Sequence, residues 1–202
     1  MQPKILLADD HIMISKGFRK LLEYDFNYTD VFSVTTCKEL MQELNKKTYT
    51  HLIVDIGLSD GSALEVLPPI QKLYPDLCIM FFSAKPAVAY DKALRQHGIY
   101  YFLSKEAGED ETKRKLLHFF DNDLRPYSNS ETGTQDNPFS NLTSRELEVL
   151  HYVLTGAGTK EISSALNLKQ NTVSTFKSRI YDKIQVANHN ELMELARLYK
   201  VV

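Results

Sequence analysis

The sequence predicts two domains in tandem within 202 residues, a doubly wound α/β domain with a five-stranded parallel sheet and then a small all-α domain. Three observations predict it. Over residues 1–122, five short apolar, β-branched runs alternate with five amphipathic stretches, the pattern of repeated βα units with right-handed crossovers. Residues 123–139 (DLRPYSNSETGTQDNPF) are rich in Pro, Gly and short polar side chains and nearly free of aliphatic ones, as a linker is. Residues 140–202 hold four stretches of helical spacing and no run that reads as a strand.

The strands are expected at residues 4–8, 31–34, 51–54, 78–82 and 100–103. Several lack polar alternation and so should be buried on both faces. Helices are expected between and after them, at 12–23, 37–45, 62–74, 87–97 and 109–120. The four C-terminal helices should span 143–155, 159–166, 171–184 and 190–201, with Gly156 and Gly158 breaking the first and Asn167-Leu168 the second. Thr143 followed three residues later by Glu146 is a capping box, flanked by Leu142 and Leu147 as a hydrophobic staple. Leu147, Leu150, Val153 and Leu154 then form one apolar stripe.

With 43% hydrophobic and 25% charged residues and a net charge of −2, the chain is neither fibrous, mucin-like nor wholly disordered. No apolar run approaches the ~20 residues of a membrane span, and the N-terminus lacks a signal-peptide core, so a cytoplasmic protein without a membrane partner is expected. Cys37 and Cys78 lie in apolar surroundings, which suits core positions and neither a zinc site nor a disulfide framework. Charge is uneven: net −2 over 1–122, −2 over 123–139 and +2 over 140–202, with three Lys and one Arg against Asp182 in 169–183. Different partners for the two ends follow, although simple solvation also produces a basic helix face.

In a doubly wound sheet, function gathers beyond the carboxyl ends of the strands. Asp9 and Asp10 follow the first expected strand and Asp55 the third. In a sheet of order 2-1-3-4-5 these strands are neighbours, so three carboxylates converge. Their mutual repulsion is costly unless a cation sits among them, and hard oxygen ligands suit Mg²⁺. Ser83 closes the fourth strand and Lys105 follows the fifth. A hydroxyl and an ammonium on the rim that carries the carboxylates are what an acyl-phosphate requires.

The segments ILLADDHIMISKG, LIVDIGLSDG, IMFFSA and YFLSK resemble the receiver domain of two-component response regulators, over residues 3–120. The resemblance implies a flavodoxin-like fold and a phosphoacceptor at Asp55. It implies Mg²⁺ held by Asp9, Asp10, Asp55 and the backbone carbonyl of Gly57, and a phosphoryl group bound by Ser83 and Lys105. It also implies that Ser83 moves toward the phosphoryl oxygens while Phe102, the switch aromatic, fills the space it leaves. The alternative, read from the residues alone, is that Phe102 is a core ring between Tyr101 and Leu103. Three positions depart from the family pattern: Ser59 for a common Pro, Ala63 for Gly, and Tyr101 for the Gly that often precedes the switch aromatic. Tyr101 either restricts Phe102 and extends a dimer surface, or is an edge-strand aromatic.

In the C-terminal domain, KEISSALNLKQNTVSTFKSRIYDKI reads as a short helix, a turn and a longer helix, a helix-turn-helix. Val173, Phe176, Ile180 and Ile184 define the inward face of the longer helix. The outward face holds Asn171, Ser174, Thr175, Ser178 and Arg179, with Lys177 and Lys183 at its flanks. Short polar groups between cations suit base reading and phosphate contact in a major groove, although any surface helix has a polar face. LTSRELEVL, G-x-x-x-KEI, TVSTFKSRIYDKI and ANHNELMELA resemble the LuxR/FixJ-type DNA-binding domain over residues 140–199. This likeness implies double-stranded promoter DNA as a partner and adds Lys169 and Thr172 to the candidate contacts. Lys169 replaces the family's usual capping Ser, leaving Asn171 or Thr172 to cap, and Phe176 replaces a common His or Tyr.

The two halves together resemble a NarL/FixJ-type response regulator. Such a protein is a phosphoacceptor regulator and not an enzyme in its own right, its receiver assisting its own phosphotransfer and dephosphorylation. A sensor histidine kinase is the implied donor, with RNA polymerase a further partner of the DNA-bound form. Leu192, Leu195, Ala196 and Tyr199 add an apolar stripe on the last helix, from which a homodimer is expected. An aspartyl-phosphate phosphohydrolase is the enzyme alternative, but Gly57 stands where such enzymes place their general acid. A receiver acting without phosphorylation is the other.

Overall fold

The computed structural model describes residues 2–84, 87–121, 137–199 and 201–202, with the side chains of 88 and 91–93 left aside. Of the linker expected at 123–139, residues up to 136 lie outside the described ones. Contacts divide the chain into two units, one formed by residues 1–84 and 99–127 and the other by residues 85–98 and 128–202.

In the first unit β1 (Ile5–Ala8), β2 (Val31–Val34), β3 (His51–Val54), β6 (Cys78–Ser83) and β7 (Tyr101–Ser104) form one parallel sheet of order β2-β1-β3-β6-β7. This is the expected doubly wound order, with each strand placed within about one residue of its sequence-based position. Ile5, Leu7, Ile53, Met80, Phe82 and Leu103 form one buried face with Phe18 and Leu22 of α1 (Ile12–Phe26) and Leu116 and Phe119 of α5 (Glu109–Phe120). Alternate strand residues Leu6, Leu52, Val54, Ile79 and Phe81 are buried too, on the opposite face by the two-residue period. Burial on both sides explains why these strands read as unbroken apolar runs, each large side chain contributing about 1.5–3 kcal/mol.

The remaining helices of this unit are α2 (Cys37–Lys46) and α3 (Ala63–Leu73), capped by the side chains of Thr36 and Ser62. Pro68 and Pro69 stand inside α3. The helix persists through them because Leu64, Leu67 and Ile70 are buried, and that packing offsets the lost backbone donors. Between β3 and α3 the chain makes a hairpin not expected from the sequence, β4 (Gly57–Leu58) against β5 (Gly61–Ser62). At the start of β3, the His51 ring lies 5.0 Å from Phe119 and 5.1 Å from Phe120, and burial pushes its imidazole down to about 4. Tyr101 is half-buried with its ring 5.2 Å from Phe119, so the ring packs on α5.

The second unit contains α4 (Ala87–Gln96), a 3-10 turn at Pro138–Asn141, α6 (Ser144–Leu154), α7 (Thr159–Ala165), α8 (Gln170–Ile184) and α9 (His189–Leu198). The capping box of Thr143 and Glu146 is present at the start of α6, and Leu142 and Leu147 beside it are both buried. Asn167 (φ 51°) turns the chain out of α7, and Gln185 (φ 57°) ends α8 in the same left-handed conformation. Leu150, Val153, Ile162, Val173, Ile180, Ile184, Leu192 and Ala196 are buried.

The stripe on α9 does not form a free surface. Leu192 and Ala196 are buried, Leu195 is half-buried, and the half-buried Tyr199 ring stands 6.2 Å from the fully buried Phe139. Phe139 comes from a turn that carries no helical periodicity, which is why the sequence pattern overstated the apolar surface of α9. Leu198 and Val202 are the exposed large apolar residues at this end.

Candidate functional site

The parallel register brings the strand ends level. Ala8 pairs with both Val34 and Val54, and Val54 pairs with Phe81. The ladder continues one step further, with Asp9 N donating to Val34 O at 3.0 Å, Asp55 N to Ala8 O at 2.8 Å, and Lys105 N to Ser83 O at 3.0 Å. Asp9, Asp55 and Lys105 therefore each leave the sheet from a backbone held by a hydrogen bond to a neighbouring strand.

Asp9 (1% exposed) and Asp55 (6%) are buried carboxylates. The Lys105 ammonium lies 2.8 Å from Asp9 Oδ2 and 2.6 Å from Asp55 Oδ2, so one cation bridges both. The Ser83 hydroxyl donates to Asp55 Oδ1 at 2.6 Å. Sequence reasoning expected Ser83 to approach only after phosphorylation; here it already lies on the carboxylate. Phe102, one residue beyond Tyr101 on β7, is half-buried.

Asp9, Asp10, His11 and Asp55 each offer a ligand atom, and these atoms lie within 4.8 Å of one another. Asp9 Oδ2 and Asp10 Oδ1 are buried and accept no aligned hydrogen bond. Lys105 Nζ lies 2.8 Å from the first and His11 Nδ1 lies 2.8 Å from the second. Carboxylate oxygens with unspent lone pairs at such spacing fit a hard divalent cation. His11 was not singled out in the sequence, although its place directly after the Asp pair was the available signal. Its backbone amide also donates to Asp9 Oδ1 at 2.9 Å.

In the second unit, α7 and α8 form the helix-turn-helix. Val173, Ile180 and Ile184 face the core and Phe176 is half-buried. Lys169, Asn171, Ser174, Thr175, Ser178 and Arg179 are exposed as expected, while Thr172 and Lys177 are half-buried. Ser174 donates its hydroxyl to Gln170 O at 3.1 Å and Thr175 to Asn171 O at 2.9 Å. Two details differ from expectation. Lys169 is the N-cap and α8 has no side-chain cap hydrogen bond, because a lysine cannot accept one and Asn171 and Thr172 fall inside the first turn. Lys183, expected to meet phosphate, lies 2.7 Å from Glu146 Oε2 and donates to Asn141 O at 3.4 Å. Burial opposes ionisation of Glu146, but Lys183 and Thr143 together hold its carboxyl below the usual range.

Residues 5–117 match the model of the response regulator receiver domain, and residues 140–196 match that of bacterial regulatory proteins of the luxR family. The chain is a response regulator. This response regulator is 27% identical over 214 residues to the oxygen regulatory protein NreC of Staphylococcus aureus, covering 98% of this chain and 99% of that one. Among solved structures it is similar to RcsB from Salmonella enterica serovar Typhimurium bound to promoter P1flhDC in the presence of the phosphomimetic BeF3−. That likeness has a TM-score of 0.72 at 22% identity, covering 96% of this chain and 98% of that one. It is also similar to full-length FixJ from B. japonicum, with a TM-score of 0.52 at 18% identity over 100% and 99% of the two chains. At these identities the structural likeness establishes the fold. Among the described residues of this response regulator, no helix is long and apolar enough to cross a membrane.

Proposed function

We propose that this response regulator is a cytoplasmic transcription factor phosphorylated on Asp55 by a sensor histidine kinase, and that phosphorylation controls its dimerisation and its binding to promoter DNA. Its parts are a receiver over residues 1–122, a linker over 123–139 and a DNA-binding domain over 140–202. The observation that carries the reading is Asp55 itself, a buried carboxylate at the end of β3 with a hydroxyl on one oxygen and an ammonium on the other.

Asp9, Asp10 and Asp55, with the Gly57 carbonyl, would hold Mg²⁺, whose charge offsets that of the equatorial phosphoryl oxygens. An Asp55 oxygen forms the new P–O bond as the P–N bond to the donor histidine breaks. Lys105 supplies the fixed positive charge for the transferred group, and Ser83, already at hydrogen-bond distance, supplies a donor without travelling far. Phe102 is assigned the coupling between this site and the surface that dimerises. On DNA, α8 enters the major groove, with Asn171, Ser174, Thr175 and Ser178 toward base edges and Lys169, Lys177 and Arg179 toward phosphates. RNA polymerase is the further partner that regulated transcription requires.

Acetyl phosphate labelling and beryllofluoride binding test the first step. Asp55→Asn should abolish both, and undiminished Mg²⁺-dependent phosphoryl incorporation in that variant would sink the assignment.

A further inference from the structure

The loop that leaves β3 is fastened at a second point, away from the acidic cluster. Asp60, at the tip of the β4–β5 hairpin, accepts the Cys37 amide on Oδ1 at 2.6 Å and the Lys38 amide on Oδ2 at 3.0 Å. These are the first two amides of α2, donors that have no partner inside the helix and that favour an anion. Thr36 takes the Glu39 amide at 2.9 Å, so the helix end already has its ordinary cap without Asp60. Ser59 adds a bond from its hydroxyl to Thr35 O at 3.1 Å. At the base of the hairpin, Ile56 O accepts from Ala63 N at 2.9 Å and from Ser62 Oγ at 3.3 Å. Gly61 has φ +155°, a conformation that suits glycine alone and lets the chain reverse directly after Asp60. The segment holding Gly57 is thus closed at its base and moored at its tip. Asp60 is not one of the clustered groups that could hold a cation.

We propose that Asp60 is a positioning residue for the cation site. By tying the hairpin to the start of α2, it fixes the Gly57 backbone beside Asp55 and couples cation binding to the order of the first turn of α2. This rests on the reading that the acidic cluster binds Mg²⁺. The coupling is reciprocal: if the mooring favours the cation, the cation must favour the mooring.

The test titrates the metal-free, full-length chain with MgCl2 by calorimetry, in wild type, Asp60→Ala and Asp60→Asn. Amide exchange of Cys37 and Lys38 is followed with and without Mg²⁺. Loss of the mooring in Asp60→Ala should weaken Mg²⁺ binding about ten- to hundredfold, the range for removing a group that supports metal ligands. Asp60→Asn keeps one acceptor oxygen and should fall between. Mg²⁺ should slow exchange at both amides in wild type and have no such effect in Asp60→Ala. A merely structural cap would instead lower the melting temperature equally with and without Mg²⁺ and leave affinity untouched. Unchanged Mg²⁺ affinity in Asp60→Ala, or in Asp60→Asn should the alanine chain not fold, overturns the proposal. Absence of Mg²⁺ binding by wild type would instead overturn the reading of the acidic cluster.

Discussion

Replacing Lys105 by methionine keeps the length of the side chain and removes its charge. In the structure that charge faces two carboxylates whose side chains are 0% and 8% exposed, from a lysine that is itself 5% exposed. Removing one partner of so buried a group leaves the others without a counter-charge, a loss of about 3–5 kcal/mol. The ammonium also stands 5.6 Å from the Phe82 ring centre, which adds roughly 0.5–1 kcal/mol to the loss. A divalent cation among Asp9, Asp10 and Asp55 would supply the missing charge. Lys105→Met should therefore be strongly destabilised in EDTA and regain at least half of the difference in saturating MgCl2. By linkage, recovery of about 2 kcal/mol means Mg²⁺ binding roughly thirtyfold tighter than in wild type. Urea unfolding of both chains, with and without Mg²⁺, measures the recovery, and calorimetry measures the affinity. If the deficit of Lys105→Met were the same in EDTA and in Mg²⁺, and the affinity unchanged, the ammonium and the cation would not share these carboxylates.

Further outcomes follow from other contacts. His51 should titrate by NMR with a midpoint near 4, well below an exposed histidine. Because its folded-state pKa is depressed, its contribution is present above about pH 6.5 and lost as pH falls toward 4, about 1–2 kcal/mol once solvent screening is allowed for; a midpoint at the ordinary value would remove the effect. Lys183→Ala should lower the stability of the second unit by roughly 1–2 kcal/mol, since Glu146 keeps its Thr143 hydrogen bonds but loses a cation that is itself 37% exposed and partly screened by solvent, and should change the salt dependence of DNA binding little. Lys177→Ala should instead weaken binding to all sequences and reduce the salt slope by about one, whereas Thr175→Ala should change the preferred sequence at a cost of roughly 1–3 kcal/mol per affected base pair. Selections on randomised duplexes at two salt concentrations separate these effects, and a changed motif in Lys177→Ala with an intact one in Thr175→Ala would refute the placement of the two faces.

What the sequence made legible were the features with local or periodic signatures. The five strands were visible as short apolar, β-branched runs, continuous in β1, β3 and β6 because those are buried on both faces, and Asp9, Asp55, Ser83 and Lys105 because each directly follows or closes a strand. The β4–β5 hairpin was hidden, since two-residue arms at Gly57–Leu58 and Gly61–Ser62 have no period. Asp60 was hidden for a different reason: its partners Cys37 and Lys38 are backbone amides 23 and 22 residues away, and an amide leaves no mark in a sequence. Lys183 was placed on an outward flank by helical angle alone, which cannot register a buried Glu146 on another helix. The stripe of α9 was read as surplus because Phe139, the ring that Tyr199 packs beside, sits in a 3-10 turn.

The hydroxyls of Ser174 and Thr175 have each committed their only hydrogen to the preceding turn of α8. What remains for anything outside the helix is lone pairs, together with one methyl group on Thr175. In that rotamer the two side chains are complementary to the amino groups of adenine and cytosine and to the thymine methyl, and are mute toward the carbonyl edge of guanine. Of the side chains placed toward base edges, recognition of guanine would then fall to Asn171 and Ser178, which are exposed and carry donor hydrogens.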